Sequence, residues 1–274
     1  MIPYFAEGPL FEGELPIVGH VAIHWFGLLV AIGVLLGDRI VVREGEKRGL
    51  DGQDLRFLNV RMVIFGFIMA HLVSVIFYFP ERIKENPWVL FNIWSGLSSY
   101  GGFLGAAIAY LYLSKKEKIP RLPYADVVAL GLAVGWIFGR LGCTTAHDHP
   151  GRFTNFFLGV KYPEGTRHDL GFYELLFTIV MTAILFYHAR KPRPEGRLIG
   201  LFATMYAPVR FFLDFLRATD GVARPDERYA GLTPAQWGCI VALGVGIWLM
   251  RRESPTLEFK APPSRDPETA ATAT

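Results

Sequence analysis

Basic residues are missing from the start of this 274-residue chain: no lysine or arginine precedes Arg39. The acidic segment 1–19 therefore has no basic n-region of the kind that opens a cleavable signal peptide, and the first hydrophobic stretch is expected to direct insertion itself. Cysteine occurs only as Cys143 and Cys239. With no spacing rule to pair them, they read either as a disulfide between helix ends or as two unpaired apolar residues. Charge is sparse as well: Asp, Glu, Lys and Arg make up 19% of the chain and the net charge is +3, which gives no sign of a nucleic-acid partner. What fills the chain instead is apolar. Hydrophobic residues reach 51% and aromatics 14%, with Phe the commonest aromatic, and this excludes an ordinary soluble enzyme.

The apolar residues fall into seven stretches, near 18–37, 59–79, 93–113, 124–142, 170–188, 198–216 and 233–250. Each is long enough for a hydrocarbon core about 30 Å thick. The expected fold is an all-α polytopic membrane protein of about seven transmembrane helices, with residues 1–252 as one helical catalytic domain. The segment 253–274, rich in Pro, Ala, Thr and charge, is expected to be a disordered cytoplasmic tail.

Orientation follows from Lys and Arg, which resist translocation. They crowd the connections after the first stretch (Arg39, Arg43, Lys47, Arg48, Arg56), the third (Lys115, Lys116, Lys118, Arg121) and the fifth (Arg190, Lys191, Arg193, Arg197). The N-terminus is thus expected outside and the C-terminus, from Arg251-Arg252, in the cytoplasm. By this topology the polar intramembrane residues His24, His71, Ser98, Ser99, Tyr100, Arg140, Tyr206, Arg210 and Asp214 all lie in the outward-facing half.

Arginines inside hydrophobic segments persist only where an anion or water receives them. Arg140, Arg210 and Arg217, with Arg152 less deep, point to a lipid phosphate, which a guanidinium fork matches. Tyr206, Arg210, Asp214 and Arg217 stand at i, i+4, i+8 and i+11, along one stripe; Arg210 and Asp214 could be merely a compensated ion pair, but the stripe suits recognition of an anionic lipid better. Gly101 and Gly105 form either a small-residue packing seam or room for a ligand. Tyr100, a phenol at depth, needs a partner and is a candidate to donate to a phosphate.

The densest titratable run is Gly139-Arg140-Leu141-Gly142-Cys143-Thr144-Thr145-Ala146-His147-Asp148-His149-Pro150-Gly151-Arg152. His147, Asp148 and His149 are ordinary metal-ligand types, yet three consecutive residues do not converge easily on one ion. No metal and no cofactor is expected; a hydrogen-bonded loop, or general base chemistry by a histidine, is the reading preferred here.

That run resembles the signature of the prolipoprotein diacylglyceryl transferases, G-R-x-G-N-F-x-N-x-E-x-x-G-R. Further matches occur in order: His24-Trp25-Phe26-Gly27, then Trp94 to Gly102 against W-x-G-G-L/M-x-x-H/Y-G-G, and Phe172-Tyr173-Glu174 against Q-x-Y-E. Tyr206 to Arg217 resembles Y-x-x-x-R-x-x-x-E-x-x-R, and Gly231 to Gln236 resembles G-x-L-T-x-G-Q.

The resemblance implies a bacterial inner-membrane enzyme, multi-pass, with its active site toward the outer face. It would transfer the diacylglyceryl group of phosphatidylglycerol to the lipobox cysteine of a prolipoprotein signal peptide, with membrane lipids as its surroundings. Carried over by position, the implied catalytic residues are Tyr100, Arg140, Arg210, Asp148 and His147. The implied substrate-binding residues are Arg140, Tyr206, Arg210, Arg217, His24, Gly101, Gly102 and Gly151. The chain departs from the pattern at Cys143 and Ala146, which replace the signature's two Asn, at Asp148, which shortens its Glu, and at Tyr100 in place of His. A diverged relative acting on another lipid or acceptor, and a non-enzymatic transporter, are the alternatives; no pair of broken helices in matching halves supports the transporter.

Overall fold

A computed structural model describes residues 1–5, 8–15, 19–92, 96–220 and 228–259. Seven long helices form the body: α1 (Trp25–Glu46), α2 (Gly52–Val73, continued by a π-helical turn Ser74–Tyr78), α4 (Ser99–Lys116), α5 (Arg121–Ala146), α6 (Leu170–Ala189), α7 (Arg197–Leu213) and α8 (Pro234–Arg251), with the short α3 (Pro80–Glu85) after α2. Among the described residues, five helices are long and apolar enough to cross a membrane: Trp25–Glu46, Gly52–Tyr78, Arg121–Ala146, Leu170–Ala189 and Arg197–Leu216. The expected third and seventh spans form helices, but α4 is diluted by glycine, serine and two lysines, and α8 carries Gln236 in its first turn and closes with Arg251.

Two helix starts differ from the expectation. The first helix starts only at Trp25, because Gly19–Ile23 is a strand, β3, paired antiparallel with β2 (Phe11–Leu15). The third starts at Ser99, since Gly96 adopts a left-handed φ of 72° and the Ser98 hydroxyl accepts from Gly101 N to cap the helix. Trp94 of the sequence pattern lies outside the described residues.

Helix α5 is the axis of the body. Its Tyr124 and Val127 join Val41 of α1, Leu55 and Leu58 of α2 and Leu113 of α4 in one buried cluster. Its Ala129, Leu130 and Ala133 join Met181 and Leu185 of α6 and Leu198 and Phe202 of α7 in a second. Glycines bring the backbones together. A Cβ on Gly37 would lie 2.9 Å from Gly131 O, and one on Gly101 would lie 2.4 Å from Met69 O, so α1 meets α5 and α4 meets α2 at distances only glycine allows. The opposite faces stay apolar and outward, as Phe57, Ile64 and Phe67 of α2 and Val241 and Trp248 of α8 show; apolar residues all round a helix suit a lipid surround.

Asp126 on α5 fixes the start of α7. Gly196 supplies no side-chain cap there, and the buried Asp126 carboxylate accepts from Gly196 N, Leu198 N and Ile199 N at 2.8–2.9 Å. Three of the helix's orphan donors are thereby satisfied from another helix.

The fold is not purely helical. Between α5 and α6 the chain builds β4 (Pro150–Phe153), β5 (Val160–Tyr162) and β6 (Gly165–Asp169), and β1 (Ile2–Pro3) joins them in a sheet ordered β1-β5-β6-β4. β1 runs parallel to β5; the other pairs are antiparallel, β5 and β6 as a tight hairpin with Tyr162 opposite Gly165. The first residues of the expected disordered tail also pair: β8 (Thr256–Leu257) lies antiparallel to β7 (Arg193–Pro194) after α6. The remainder of that tail, 260–274, lies outside the described residues. Both cysteines are free and buried, which decides between the two readings of them.

Candidate functional site

Three helices deliver charge to one place, and the cap of a fourth meets it. Trp136, Arg140 and Cys143 lie along the last turns of α5, Glu174 in the first turns of α6, and Tyr206 and Arg210 on α7. Asp214 and Arg217 follow α7, and Thr233 caps α8. Glu174 is the hub. Its Oε2 lies 2.7 Å from Arg140 Nη2 and accepts from the Tyr206 hydroxyl at 2.7 Å, while Oε1 lies 3.5 Å from Arg210 Nε. Tyr206 in turn accepts from Arg140 Nη2 at 3.2 Å. Asp214 Oδ1 lies 3.1 Å from Arg210 Nη1 and 3.5 Å from Arg217 Nε, and Oδ2 accepts from the Thr233 hydroxyl at 2.5 Å.

Charge therefore alternates along Arg140, Glu174, Arg210, Asp214 and Arg217. The side chains of Glu174 and Asp214 are 1% and 0% exposed, whereas those of Arg140, Arg210 and Arg217 are 14%, 12% and 22% exposed. The carboxylates lie behind and the guanidiniums in front. Three cations against two anions leave one positive charge in excess, held in place by the anions that compensate the rest. Such an arrangement offers its excess charge, as guanidinium forks, to an anion on the open side.

Aromatic rings wall it. The Trp136 ring lies 5.3 Å from the Arg140 guanidinium, meets Tyr206 edge-on at 5.2 Å and leans on Phe103 of α4 at 4.7 Å. Cys143 Sγ accepts weakly from Arg140 Nη1 at 3.8 Å.

The sequence-expected residues divide into two sets. Arg140, Tyr206, Arg210 and Arg217 come together as described, and the Arg210–Asp214 ion pair is one link of a longer chain. Tyr100, in the first turn of α4 and partly exposed, reaches toward α8: its hydroxyl lies 4.0 Å from where a Cβ on Gly238 would stand. His24 is the exposed N-cap residue of α1 and its side chain makes no capping bond. At Gly101 the space beside the backbone is filled by α2, and Gly66 of α2 packs on the carbonyl of Gly102, where a Cβ would lie 3.2 Å away. Gly151 is pressed between His168 and Leu216 O and forms a β-bridge with Arg217. That bridge, with Arg167 of β6 bonded to Gly151 O and to Asp220, ties the sheet to the segment that carries Arg217. Arg152 is exposed on β4, and the buried His71 bonds Val89 O.

His147 ends α5 in the left-handed region, φ 48°. Its Nδ1 lies 2.6 Å from Asp169 Oδ2, its ring stacks on Tyr4 of the N-terminal segment at 4.5 Å, and Tyr162, which also donates to Asp169 at 3.0 Å, meets it edge-on. Burial, then the Asp169 charge, pushes the Tyr162 phenol well above its ordinary pKa, so it stays a donor. Asp169 also caps α6 through Phe172 N. Asp148 is exposed and bonded to His149. The left-handed turn at His147 folds these two residues back against α5, so that Cys143 Sγ, an Asp148 oxygen and a His149 ring nitrogen lie within 4.8 Å of one another. The consecutive trio His147, Asp148 and His149 does not converge, but this other trio does.

Glu174 is the residue sequence reasoning passed over. It stood in the Phe172-Tyr173-Glu174 match, and an acid in an apolar helix was itself the signal; its partners were on two other helices.

The sequence model described as prolipoprotein diacylglyceryl transferase matches residues 14–252. A phosphatidylglycerol–prolipoprotein diacylglyceryl transferase of Polynucleobacter asymbioticus is 32% identical over 260 residues, covering 90% of this chain and 97% of that protein. Those of Bordetella bronchiseptica and Nitrosomonas europaea are each 31% identical, over 87% and 88% of this chain and 95% and 90% of their own lengths. With the match extending through every helix that carries the charge array, the chain belongs to the prolipoprotein diacylglyceryl transferase family.

Proposed function

We propose that this protein transfers the diacylglyceryl group of phosphatidylglycerol to the lipobox cysteine of a prolipoprotein. The observation that carries the reading is the front-to-back order of charge, guanidiniums of Arg140, Arg210 and Arg217 toward the opening and Glu174 and Asp214 buried behind them. The phosphodiester seats on Arg140 and Arg210, with Tyr206 orienting the head group. The acceptor thiol gives up its proton and its sulfur attacks the terminal glyceryl carbon of the diacylglyceryl group. A C–S bond forms, the C–O bond to phosphate breaks with its electron pair passing to oxygen, and glycerol phosphate departs. The phosphate gains a negative charge in that step, and fixed positive charge in a dry setting stabilises the developing anion more than the resting diester.

Tyr100 on α4 and Asp148 after α5 stand at the rim where the acceptor peptide enters. His147, locked to Asp169, holds the turn that places Asp148. The body through residue 252 crosses the inner membrane seven times, with its N-terminus and the site outside and its C-terminus in the cytoplasm. The positively charged connections after α1, α4 and α6 support that orientation.

The test is transfer of label from phosphatidylglycerol, marked in its diacylglyceryl part, to a lipobox peptide by the purified protein. Label on the peptide is expected, falling about 10²–10³-fold in Arg140→Ala and Arg210→Ala. No label with the parent protein overturns the reading.

A further inference from the structure

The turn after α5 brings together three side chains that the charge array does not use. Cys143 is buried in the last turns of α5; four residues later His147 takes a left-handed conformation, and Asp148 and His149 double back beside the thiol. The sulfur, a carboxylate oxygen and a ring nitrogen lie within 4.8 Å of one another. Around a tetrahedral zinc ion such atoms lie roughly 3.4–3.6 Å apart, given metal–ligand distances of about 2.0–2.3 Å. Small side-chain rotations close that gap, and Asp148 and His149 are open enough to make them, at 42% and 25% side-chain exposure. These two already bond to each other, and an ion would take the place of that hydrogen bond. The neighbouring imidazole is not available in the same way, because His147 is held by Asp169 and stacked under Tyr4.

We propose that Cys143, Asp148 and His149 form a three-ligand site for a thiophilic divalent cation of the zinc class, whose fourth position takes the acceptor's cysteine sulfur as a thiolate. Thiolate, imidazole and carboxylate together favour zinc over magnesium or calcium. Arg140 lies 3.8 Å from Sγ, and its own charge is met by Glu174 at 2.7 Å. Three protein ligands with one side open make a reactive site rather than a closed structural one. A thiol that coordinates the ion loses its proton to solvent, and a lone pair on that sulfur then forms the C–S bond as the C–O bond breaks toward phosphate. The ion does the work otherwise asked of a base, and Arg140 fixes the distance between the two halves of the reaction. The role in transfer rests on the reading given under Proposed function; the site does not.

The experiment uses the full-length protein in detergent, stripped with a chelator and titrated with cobalt(II) as a spectroscopic stand-in. A thiolate-to-cobalt charge-transfer band is expected for the parent and for Cys239→Ala. It should be absent in Cys143→Ala, and Asp148→Asn and His149→Gln should weaken cobalt binding by more than about 100-fold, the upper end of what an outer-shell partner costs. A lipobox peptide should strengthen the band by adding a second thiolate, and its serine counterpart should leave it unchanged. No band, or a band that survives Cys143→Ala, overturns the site; indifference to the cysteine peptide overturns the role of the fourth position. Label transfer on the same samples separates the two readings. Undiminished transfer by stripped protein overturns the ion's part in the reaction and leaves the transferase standing, whereas no transfer with or without metal overturns the transferase and leaves the spectra to decide the site.

Discussion

Glu174 lies 2.7 Å from Arg140 and on its other oxygen 3.5 Å from Arg210, so a single buried carboxylate holds two guanidiniums from different helices side by side. Without it the two cations would repel each other across a medium of low dielectric, and the anion-binding face would open. Under the proposed function, the carboxylate would act on the phosphate only through the arginines it positions.

Removal of that bridge is the sharpest test of the array. Glu174→Ala leaves Arg140 without a carboxylate and Arg210 with Asp214 alone, and should cost on the order of 3–5 kcal/mol, read as a lower Tm in detergent together with loss of transfer. Glu174→Gln keeps the shape and an acceptor for Tyr206, and should fall between the two. Parental Tm and parental transfer in Glu174→Ala would show that the bridge is idle.

Arginine geometry matters beyond charge. Arg140 contacts Glu174, Tyr206, Cys143 and the Trp136 ring at once, and a lysine ammonium has neither the fork nor the plane to do so. Arg140→Lys is expected to lower kcat/KM about 10²-fold, in the range seen when one charge-stabilising donor is lost. Arg217, more exposed and joined to Asp214 through Nε, should tolerate lysine better. Equal effects at the two positions would contradict the order of charge described above.

Asp126 gives a stability prediction separate from chemistry. Asp126→Ala strands three backbone donors at the start of α7 and should cost about 1–3 kcal/mol. The Tm should drop while the protein that remains folded keeps its kcat. A fall in kcat at constant Tm would mean that Asp126 bears on the site by another route.

Orientation can be read by labelling. Both native cysteines are buried, so cysteine introduced at Gly8 or at Lys116 reports with little background. An impermeant maleimide applied to intact cells should label Gly8→Cys and not Lys116→Cys, which should react only after permeabilisation. The reverse pattern would place the charge array on the cytoplasmic side.

Much of this architecture was legible because membrane insertion is written locally. A run of apolar residues marks a helix wherever it stands, and α5, α6, α7 and α8 lie close to where their hydrophobicity puts them. The stripe of Tyr206, Arg210 and Asp214 was readable too, since neighbours three and four apart share a helix face. Local composition failed where short-range signals competed. Gly96 and Ser98 start α4 later than its apolar run, and β3 takes the residues assigned to the start of the first span through pairing with β2. The four-stranded sheet was invisible for the same reason: β1 pairs with β5 across more than half of the chain, Ile2 opposite Val160, and no window of sequence contains both.

The sequence by itself determined that this is a helical membrane protein with arginines where only an anion would justify them, because hydrophobicity and charge are properties of single residues and their near neighbours. Tertiary structure alone decided which charges meet. Arg140, Glu174 and Arg210 come from three helices and Thr233, which meets Asp214, caps a fourth, and whether they touch depends on how glycine seams and crossing backbones set those helices side by side. The same holds for Cys143, Asp148 and His149, whose convergence hangs on one left-handed residue, His147.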